Sequence, residues 1–318
     1  MKVVSIVVPT YNEEDNIAIL CDRIDDLFRN QLGSYDYRIL FCDNCSKDST
    51  RDVIREIANH NKKVQYIFYV KNFGFSKSTF YGLTQADGDC AVLLFADMQD
   101  PPETIVQFVE QWEKGHKVVV GIKNRSKENK IVYLCRKIYY KLMKKISSVG
   151  HIEQFTGFGL YDRSVLDVLS KVNDPMPYLR GIIAELAPEC QKVFYEQKKR
   201  ERGKSAFKFM GLYDLAMLGI TSYSKALMRI SVFLGFFVSF ISVVVAVVTF
   251  LLKLFGLVQY PIGNAAILFG VYLLGGTILM FMGIMGEYIL NINIRTMNHP
   301  IVVEQERFNV RTRGENIK

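Results

Sequence analysis

The stretch Phe95–Glu103, FADMQDPPE, is where the chain changes from an apolar run, Ala91–Phe95, to a polar turn and a Pro-Pro pair. The apolar run predicts a buried strand, and the prolines predict the start of a helix. Asp97, Gln99 and Asp100 lie between the two, where open α/β sheets bind their ligands. Carboxylate and amide oxygens suit Mg²⁺ or Mn²⁺ better than zinc. The stretch therefore predicts a metal-diphosphate site.

The same residues allow a plainer interpretation. Asp100 could cap a helix that starts near Pro101 or Pro102, which would make the stretch an acidic turn without a ligand. Two aspartates in one turn are common, so this stretch alone leaves both interpretations open. The rest of the chain has to distinguish them.

Outward from this stretch, short apolar runs alternate with segments whose apolar residues recur every three or four positions. Such alternation predicts βαβ units and a mostly parallel sheet that helices cover on both faces. We predict strands at Val3–Val8, Tyr37–Cys42, Gln65–Val70, Ala91–Phe95 and Lys117–Gly121. We predict helices from about Ile17 to Phe28 and at Ser49–Asn59, Ser76–Gln85 and Pro102–Lys114. The fold class is therefore α/β, with a nucleotide-binding architecture.

Polar or charged groups follow each of the five predicted strands, at what becomes one edge of a parallel sheet. A single polar loop means little, because loops are polar in most proteins. Five such loops on one edge indicate a binding site. The groups are Pro9 to Glu13, Asp43 to Ser46, Lys71 to Gly74, Asp97 to Asp100, and Lys123 with Arg125. No glycine-rich dinucleotide fingerprint and no GxxxxGKS/T loop is present in the sequence, which disfavours nicotinamide enzymes and P-loop NTPases.

The 318-residue chain has a net charge of +8, which would suit either nucleic acid or an anionic membrane surface. Its C-terminal third distinguishes between these two partners. Ile230–Leu252 is apolar or small throughout and carries no charge. A helix of about 23 residues rises roughly 34 Å, enough for a hydrocarbon core of about 30 Å. Ala265–Gly286 is similarly apolar, with glycines that allow close helix contact. We predict two transmembrane helices and no nucleic-acid partner; a buried core hairpin is the alternative.

Basic residues flank the two predicted spans, whereas the connecting loop Lys253–Asn264 holds a single lysine. By the positive-inside rule, both termini face the cytoplasm. Gly211–Met228 mixes apolar, aromatic and basic residues, so we predict interfacial helices there and leave homo-oligomer contacts open. The polar stretch Glu304–Lys318 is predicted to be a loose tail.

Six blocks of sequence, in this order, resemble one known family: VVPTYNEEDNI, CDNCSKDST, KNFGFSKSTFYGL, ADMQDPPE, GEYI and HPIVV. Together they are similar to the membrane-anchored family 2 glycosyltransferases of the polyprenyl-phosphate sugar synthase type. Dolichyl-phosphate mannose synthase and the bactoprenol glucosyltransferases belong to that group. The resemblance spans roughly Val3–Val303. It implies a GT-A fold, a nucleotide-sugar donor with uridine favoured as carrier, Mg²⁺ or Mn²⁺, and inverting transfer to a polyprenyl phosphate at the cytoplasmic leaflet of the cell membrane.

The resemblance also implies a domain plan and a set of site residues. A GT-A catalytic domain would occupy 1–165, its completion with juxtamembrane helices 166–229, the transmembrane helices 230–290, and a cytoplasmic tail 291–318. The nucleotide-binding positions are Pro9, Thr10, Tyr11, Glu13, Asp43, Lys71 and Asp97, with Asp43 accepting from the base. The metal positions are Asp97 and Gln99. The phosphate-binding positions are Lys123, Arg125, Arg136, Arg200 and Ser205. The catalytic positions are Asp97, Arg136 and Arg200.

Some of these positions keep a simpler explanation. Thr10 and Tyr11 could be ordinary turn residues. Arg136 could be one basic position on an amphipathic helix that lies at the membrane interface.

Two positions depart from the family pattern. Phe95 stands where the first Asp of the usual DxD would be, and Gly157 stands where relatives carry the residue proposed as catalytic base. These losses leave open an inactive nucleotide-sugar-binding scaffold, and a polymer-forming synthase is a further alternative. A phosphate monoester, however, has a second pKa of about 6 and is already anionic at pH 7, so it needs no general base. We therefore predict an enzyme that transfers a hexosyl or N-acetylhexosaminyl group to a polyprenyl phosphate without one.

Overall fold

The computed structural model describes residues 1–125, 152–197, 264–297 and 299–310, together with single positions between 217 and 255. Within these residues one sheet of eight strands has the order β7-β5-β6-β4-β1-β2-β3-β8. The strands are β1 Val3–Thr10, β2 Asp36–Asp43, β3 Val64–Tyr69, β4 Cys90–Leu93, β5 Val118–Arg125, β6 Phe155–Asp162, β7 Gln191–Glu196 and β8 Glu304–Phe308. The described helices are α1 Glu14–Asn30, α2 Thr50–His60, α3 Phe75–Gln85, α4 Thr104–Glu113, α5 Arg163–Leu169, α6 Leu179–Leu186 and α7 Asn264–Thr296.

Most strands of this sheet run in the same direction. β1 pairs in parallel with β2 and β4, β2 with β3, and β5 with β7. β6 is antiparallel to both β4 and β5, and β8 is antiparallel to β3. The carboxyl ends of β1 to β5 and of β7 therefore meet at one edge, which we call the carboxyl edge.

The side chains of β1 show how the sheet is covered. Val4, Ile6 and Val8 pack on one face in a core with residues of α1, α2 and α4. Val7 packs on the other face with residues of α3, α5 and α6. All four valine and isoleucine side chains are fully buried. Burial on both faces explains why these strands are continuous apolar runs in the sequence rather than alternating ones.

The five predicted strands and the four predicted helices are confirmed, with bounds shifted by a few residues. β1 continues through Pro9 to Thr10. α4 begins at Thr104, beyond the Pro-Pro pair, and no side chain caps its N-terminus. The helix-capping role considered for Asp100 is therefore wrong.

The C-terminal stretch that was expected to be a loose tail contains a strand. Glu304–Phe308 forms β8 and pairs with β3, which would otherwise be an edge strand. Glu306 accepts hydrogen bonds from Nη2 of Arg55 at 2.7 Å and from the hydroxyl of Tyr66 at 2.6 Å. The prediction for Glu304–Lys318 is wrong for this strand, because polar side chains suit a strand whose outer edge faces water.

In the part of the chain that the structure describes, α7 is the one helix long and apolar enough to cross a membrane, over Leu274–Thr296, judged by length and composition. It includes the second predicted span, Ala265–Gly286. The first predicted span, Ile230–Leu252, and the predicted interfacial segment, Gly211–Met228, lie largely outside the described residues.

Candidate active site

A buried carboxylate, Asp43, lies at the carboxyl edge with no exposed surface. Its Oδ1 accepts a hydrogen bond from the backbone N of Ser46 at 3.0 Å and forms an ion pair with Nε of Arg51. Its Oδ2 accepts from the hydroxyl of Ser46 and, at 3.4 Å, from that of Thr10. A carboxylate has about four lone-pair sites, so protein donors fill both oxygens. Asp43 thus holds loops together, and its contact with a nucleotide base stays a prediction.

Arg51 connects Asp43 to two further strands. Its Nη2 donates to the backbone oxygen of Tyr69 at 2.6 Å, at the end of β3. Its Nη1 donates to Oε1 of Gln305 at 2.9 Å, on β8. The Arg51 side chain is only 15% exposed. No local sequence pattern marks Arg51 or Gln305, because only the fold brings β8 to the end of β2.

Two asparagines fix the loops that follow β2 and β3. Asn44 Nδ2 donates to Oδ1 of Asn72 at 3.0 Å, and Asn44 Oδ1 accepts from the backbone N of Phe73 at 2.8 Å. Asn72 Oδ1 also accepts from the backbone N of Gly74 at 2.8 Å. Lys71 is exposed in the same loop, with its ammonium 5.2 Å from the centroid of the Phe73 ring. The two loops therefore form one rim of the candidate site.

The loop after β1 is tied to the loop after β2. Asn12, at φ 56°, donates its backbone N–H to Oγ of Ser46 at 2.9 Å. The backbone N–H of Glu13 donates to Oγ1 of Thr50 at 2.9 Å. These bonds fix the segment that carries the predicted nucleotide-binding positions. Thr10 is buried there, and the half-buried positions are Pro9, Tyr11 and Glu13.

The turn Asp97–Asp100, which we call the metal turn, connects β4 to α4 at the same edge. The backbone N of Gln99 donates to Oδ1 of Asp97 at 3.2 Å, and Met98 has a left-handed φ of 57°. Both Asp97 and Gln99 are partly exposed. Among the described residues, no group of three His, Cys, Asp or Glu side chains is placed to hold a metal. A carboxylate and an amide fit Mg²⁺ or Mn²⁺, because Mg²⁺ takes one or two protein carboxylates and completes its shell with phosphate oxygens and water.

Asp100, the last residue of the metal turn, is 2% exposed. Its Oδ1 accepts a hydrogen bond from the hydroxyl of Tyr195 at 2.6 Å and lies 3.5 Å from Nε2 of Gln197. Burial raises the pKa of the Asp100 carboxyl, and the positive charge of Lys123 on β5 opposes that rise. The charge of Lys123, which is predicted to bind phosphate, therefore acts on the metal turn.

Gly157 on β6 stands where the family pattern would place a base. Its φ of +111° is one that L side chains rarely adopt. A Cβ at this position would lie 3.1 Å from Cδ2 of Leu93 and 3.6 Å from Cδ2 of Leu179. The ring of Phe95, the other departure, would be 4.0 Å away. Leu93, Leu179 and Phe95, which we call the apolar wall, thus line this position, and a side chain here would press against Leu93.

Of the remaining predicted phosphate-binding positions, Arg125 is the last residue of β5. Arg136, Arg200 and Ser205 lie outside the described residues. Gln197 follows β7, and its Nε2 is 3.4 Å from Oε1 of Gln99. The chain therefore enters the segment of Arg200 and Ser205 from beside the metal turn.

The sequence pattern of glycosyl transferase family 2 matches residues 5–170, more than half of the chain. The protein belongs to this family, and its α/β sheet is a GT-A fold. It is 31% identical over 300 residues to the SfII prophage-derived bactoprenol glucosyl transferase of Shigella flexneri, covering 93% of this chain and 96% of that protein. It is 29% identical over 297 residues to the putative glycosyltransferase CsbB of Bacillus subtilis (strain 168), covering 93% and 89%.

A solved structure supports the same fold. Mannosyl-3-phosphoglycerate synthase from Rubrobacter xylanophilus matches with a TM-score of 0.50 and 16% identity, over 83% of this chain and 78% of that chain. The identity is low, so this likeness concerns the fold alone.

Restoring a carboxylate with Gly157→Asp is expected to destabilise the protein without raising sugar transfer. The unfavourable φ lowers the stability of a variant with a side chain by about 1–3 kcal/mol, and the close contact with Leu93 lowers it further. Thermal unfolding of the detergent-solubilised protein measures the loss. Gly115→Asp is the matched control, because Gly115 has φ +96° but open space around its Cβ. A Gly157→Asp protein as stable as this control and more active than wild type would contradict the interpretation.

Proposed function

We propose that the protein is an inverting glycosyltransferase that moves a hexosyl or N-acetylhexosaminyl group from a UDP-sugar to an undecaprenyl-type polyprenyl phosphate. The reaction takes place at the cytoplasmic leaflet of the cell membrane. The observation that carries the proposal is the similarity to bactoprenol glucosyl transferases over 93% of the chain, which extends beyond the sheet into the C-terminal apolar region. We propose the polar carboxyl edge as the site of this reaction.

The nucleoside of the donor is proposed to bind at the loops after β1, β2 and β3. Bonds from Asp43 and from Asn44 fix these loops before any ligand arrives. Pro9 and Tyr11 are partly exposed on the same edge, and Lys71 is exposed at its rim. Loops that are fixed in this way reduce the ordering that donor binding would otherwise require.

The diphosphate is proposed to bind at the metal turn. Asp97, supported by Gln99, would hold Mg²⁺ or Mn²⁺, which supplies positive charge against the diphosphate when bound. Lys123 adds a cation beside the turn. Positive charge at this point stabilises the nucleoside diphosphate as it leaves. The further proposed contacts to the diphosphate and the acceptor phosphate are Arg125, Arg136, Arg200 and Ser205.

The apolar wall at Gly157 supports a phosphate acceptor. An alcohol must lose a proton as it attacks, so an enzyme for alcohol acceptors needs a carboxylate or histidine in reach. A phosphate monoester at pH 7 already presents anionic oxygens that can attack the anomeric carbon. The protein then has to hold the acceptor phosphate against repulsion by the donor diphosphate, a task for Arg136 and Arg200.

The position of β8 supports an even number of membrane crossings. β7 ends at Glu196, and the chain returns to this sheet with β8 at Glu304. Both points must lie on the same side of the membrane, because β7 and β8 belong to one sheet. If α7 is one crossing, a second is required before it, and Ile230–Leu252 is the apolar stretch available. We therefore propose two spans with both termini in the cytoplasm.

Asp97→Ala is expected to reduce sugar transfer at least a hundredfold, the order of effect seen when one stabilising group is lost. A thermal-shift screen of nucleotide sugars with Mn²⁺ first identifies the donor. Transfer is then measured with membranes, polyprenyl phosphate and that labelled donor, with and without a chelator. Asp22→Ala, at an exposed position of α1, is the control and should keep wild-type activity.

Wild-type-like activity of Asp97→Ala would contradict the assignment of Asp97 as a metal ligand. A wild-type protein that binds the donor but transfers no sugar would favour the inactive nucleotide-sugar-binding scaffold.

An engineered Gln259→Cys is expected to react with a membrane-impermeant thiol reagent added outside intact cells. Gln259 lies in the loop Lys253–Asn264, the proposed outer loop. The background lacks reactive native cysteines, and a cysteine introduced at exposed Asn59 of α2 serves as the cytoplasmic control. Labelling of position 259 only after permeabilisation would show that the loop faces the cytoplasm, which would contradict the proposed topology.

A further inference from the structure

Tyr195 and Gln197 lie at the end of β7 and contact the metal turn, although no sequence motif gives either a role. The Tyr195 hydroxyl donates to Oδ1 of Asp100 at 2.6 Å. Both side chains are buried, Tyr195 at 6% and Asp100 at 2% exposure. Gln197 reaches the same turn with longer contacts, 3.4 Å to Oε1 of Gln99 and 3.5 Å to Oδ1 of Asp100. Side chains at the end of β7 thus contact two consecutive residues of the metal turn, Gln99 and Asp100.

The ring of Tyr195 is itself held in place. It packs edge-on against Phe158, with ring centroids 5.2 Å apart. Gly121 on β5 leaves the room for this pair, because a Cβ there would come within 2.8 Å of Phe158 and 3.0 Å of Tyr195. The hydroxyl is therefore presented to Asp100 from a fixed position rather than from a mobile side chain.

The metal turn is short, so a restraint on Asp100 also restrains its neighbours. The bond from the Gln99 backbone N to Asp97 Oδ1 closes the turn directly before Asp100, the residue that Tyr195 contacts. Asp100 does not cap α4, and its hydrogen-bond partners in the described structure are Tyr195 and Gln197. A buried carboxylate that loses its main donor has to move or to find another partner. Movement of Asp100 would displace Asp97 and Gln99.

We propose that Tyr195 is a positioning residue that acts through Asp100 to set Asp97 and Gln99 for the divalent metal. The inference rests on the proposed function, because it needs the metal-diphosphate site.

The test is Tyr195→Phe, which removes the hydroxyl and keeps the ring against Phe158. Isothermal titration of the full-length, detergent-solubilised protein measures Mn²⁺ affinity in the presence of UDP, and GDP is used if the wild type binds it better. We expect Tyr195→Phe to bind Mn²⁺ about tenfold more weakly, the lower end of the effect of groups that orient metal ligands. Sugar transfer should recover when Mn²⁺ is raised to saturation.

Tyr37→Phe is the matched control. The Tyr37 hydroxyl also donates to a carboxylate oxygen at 2.6 Å, Oδ1 of Asp25, and Tyr37 is buried at the opposite end of β2. It should lose stability to a similar extent and keep Mn²⁺ affinity within twofold of wild type. Unchanged Mn²⁺ affinity in Tyr195→Phe, or an equal loss in Tyr37→Phe, overturns the inference and leaves the proposed function standing. A wild type that binds neither nucleotide with Mn²⁺ overturns both.

Discussion

The carboxyl edge depends on the ion pair between Asp43 and Arg51. Asp43 has no exposed surface, and an ionised carboxylate in that position is tolerated only when it is paired and hydrogen-bonded. Removal of one partner from a buried pair typically costs about 3–5 kcal/mol. Arg51 also bonds Tyr69 and Gln305, so the same side chain fixes the ends of β2 and β3 against β8. The proposed nucleoside site is built on this arrangement.

The sheet also relates the candidate active site to the proposed membrane spans. Among the described strands, β7 and β8 are the two outer ones, and the proposed spans lie between them in the chain. One outer strand ends beside the metal turn through Tyr195, and the other contacts Arg51 through Gln305. The proposed spans are therefore connected in the chain to both halves of the proposed donor site. The proposed reaction, whose acceptor is a lipid headgroup, would benefit from this, because the spans would hold the site at the membrane surface.

Sequence patterns predicted the parts of the structure that local physics determines. Fully buried parallel strands are apolar runs, and their polar ends share one edge, so the edge and the metal turn followed directly. β8 was missed because its charged residues resemble a tail until β3 supplies partners for them. The hydrogen bond between Asp100 and Tyr195 was missed because the two residues are distant in sequence and meet only in the folded sheet. Gly157 could be recognised as a departure, but its positive φ and the nearby Leu93 are visible only in the structure.

The proposed reaction uses a phosphate monoester as acceptor and no protein base. It is tested directly by comparing initial rates with undecaprenyl phosphate and with undecaprenol, using one labelled nucleotide sugar, from pH 5 to pH 8. We expect transfer to the phosphate alone, with a rate that rises as the acceptor passes its second pKa of about 6 and then levels. Efficient transfer to undecaprenol, with the phosphate inactive, would contradict it.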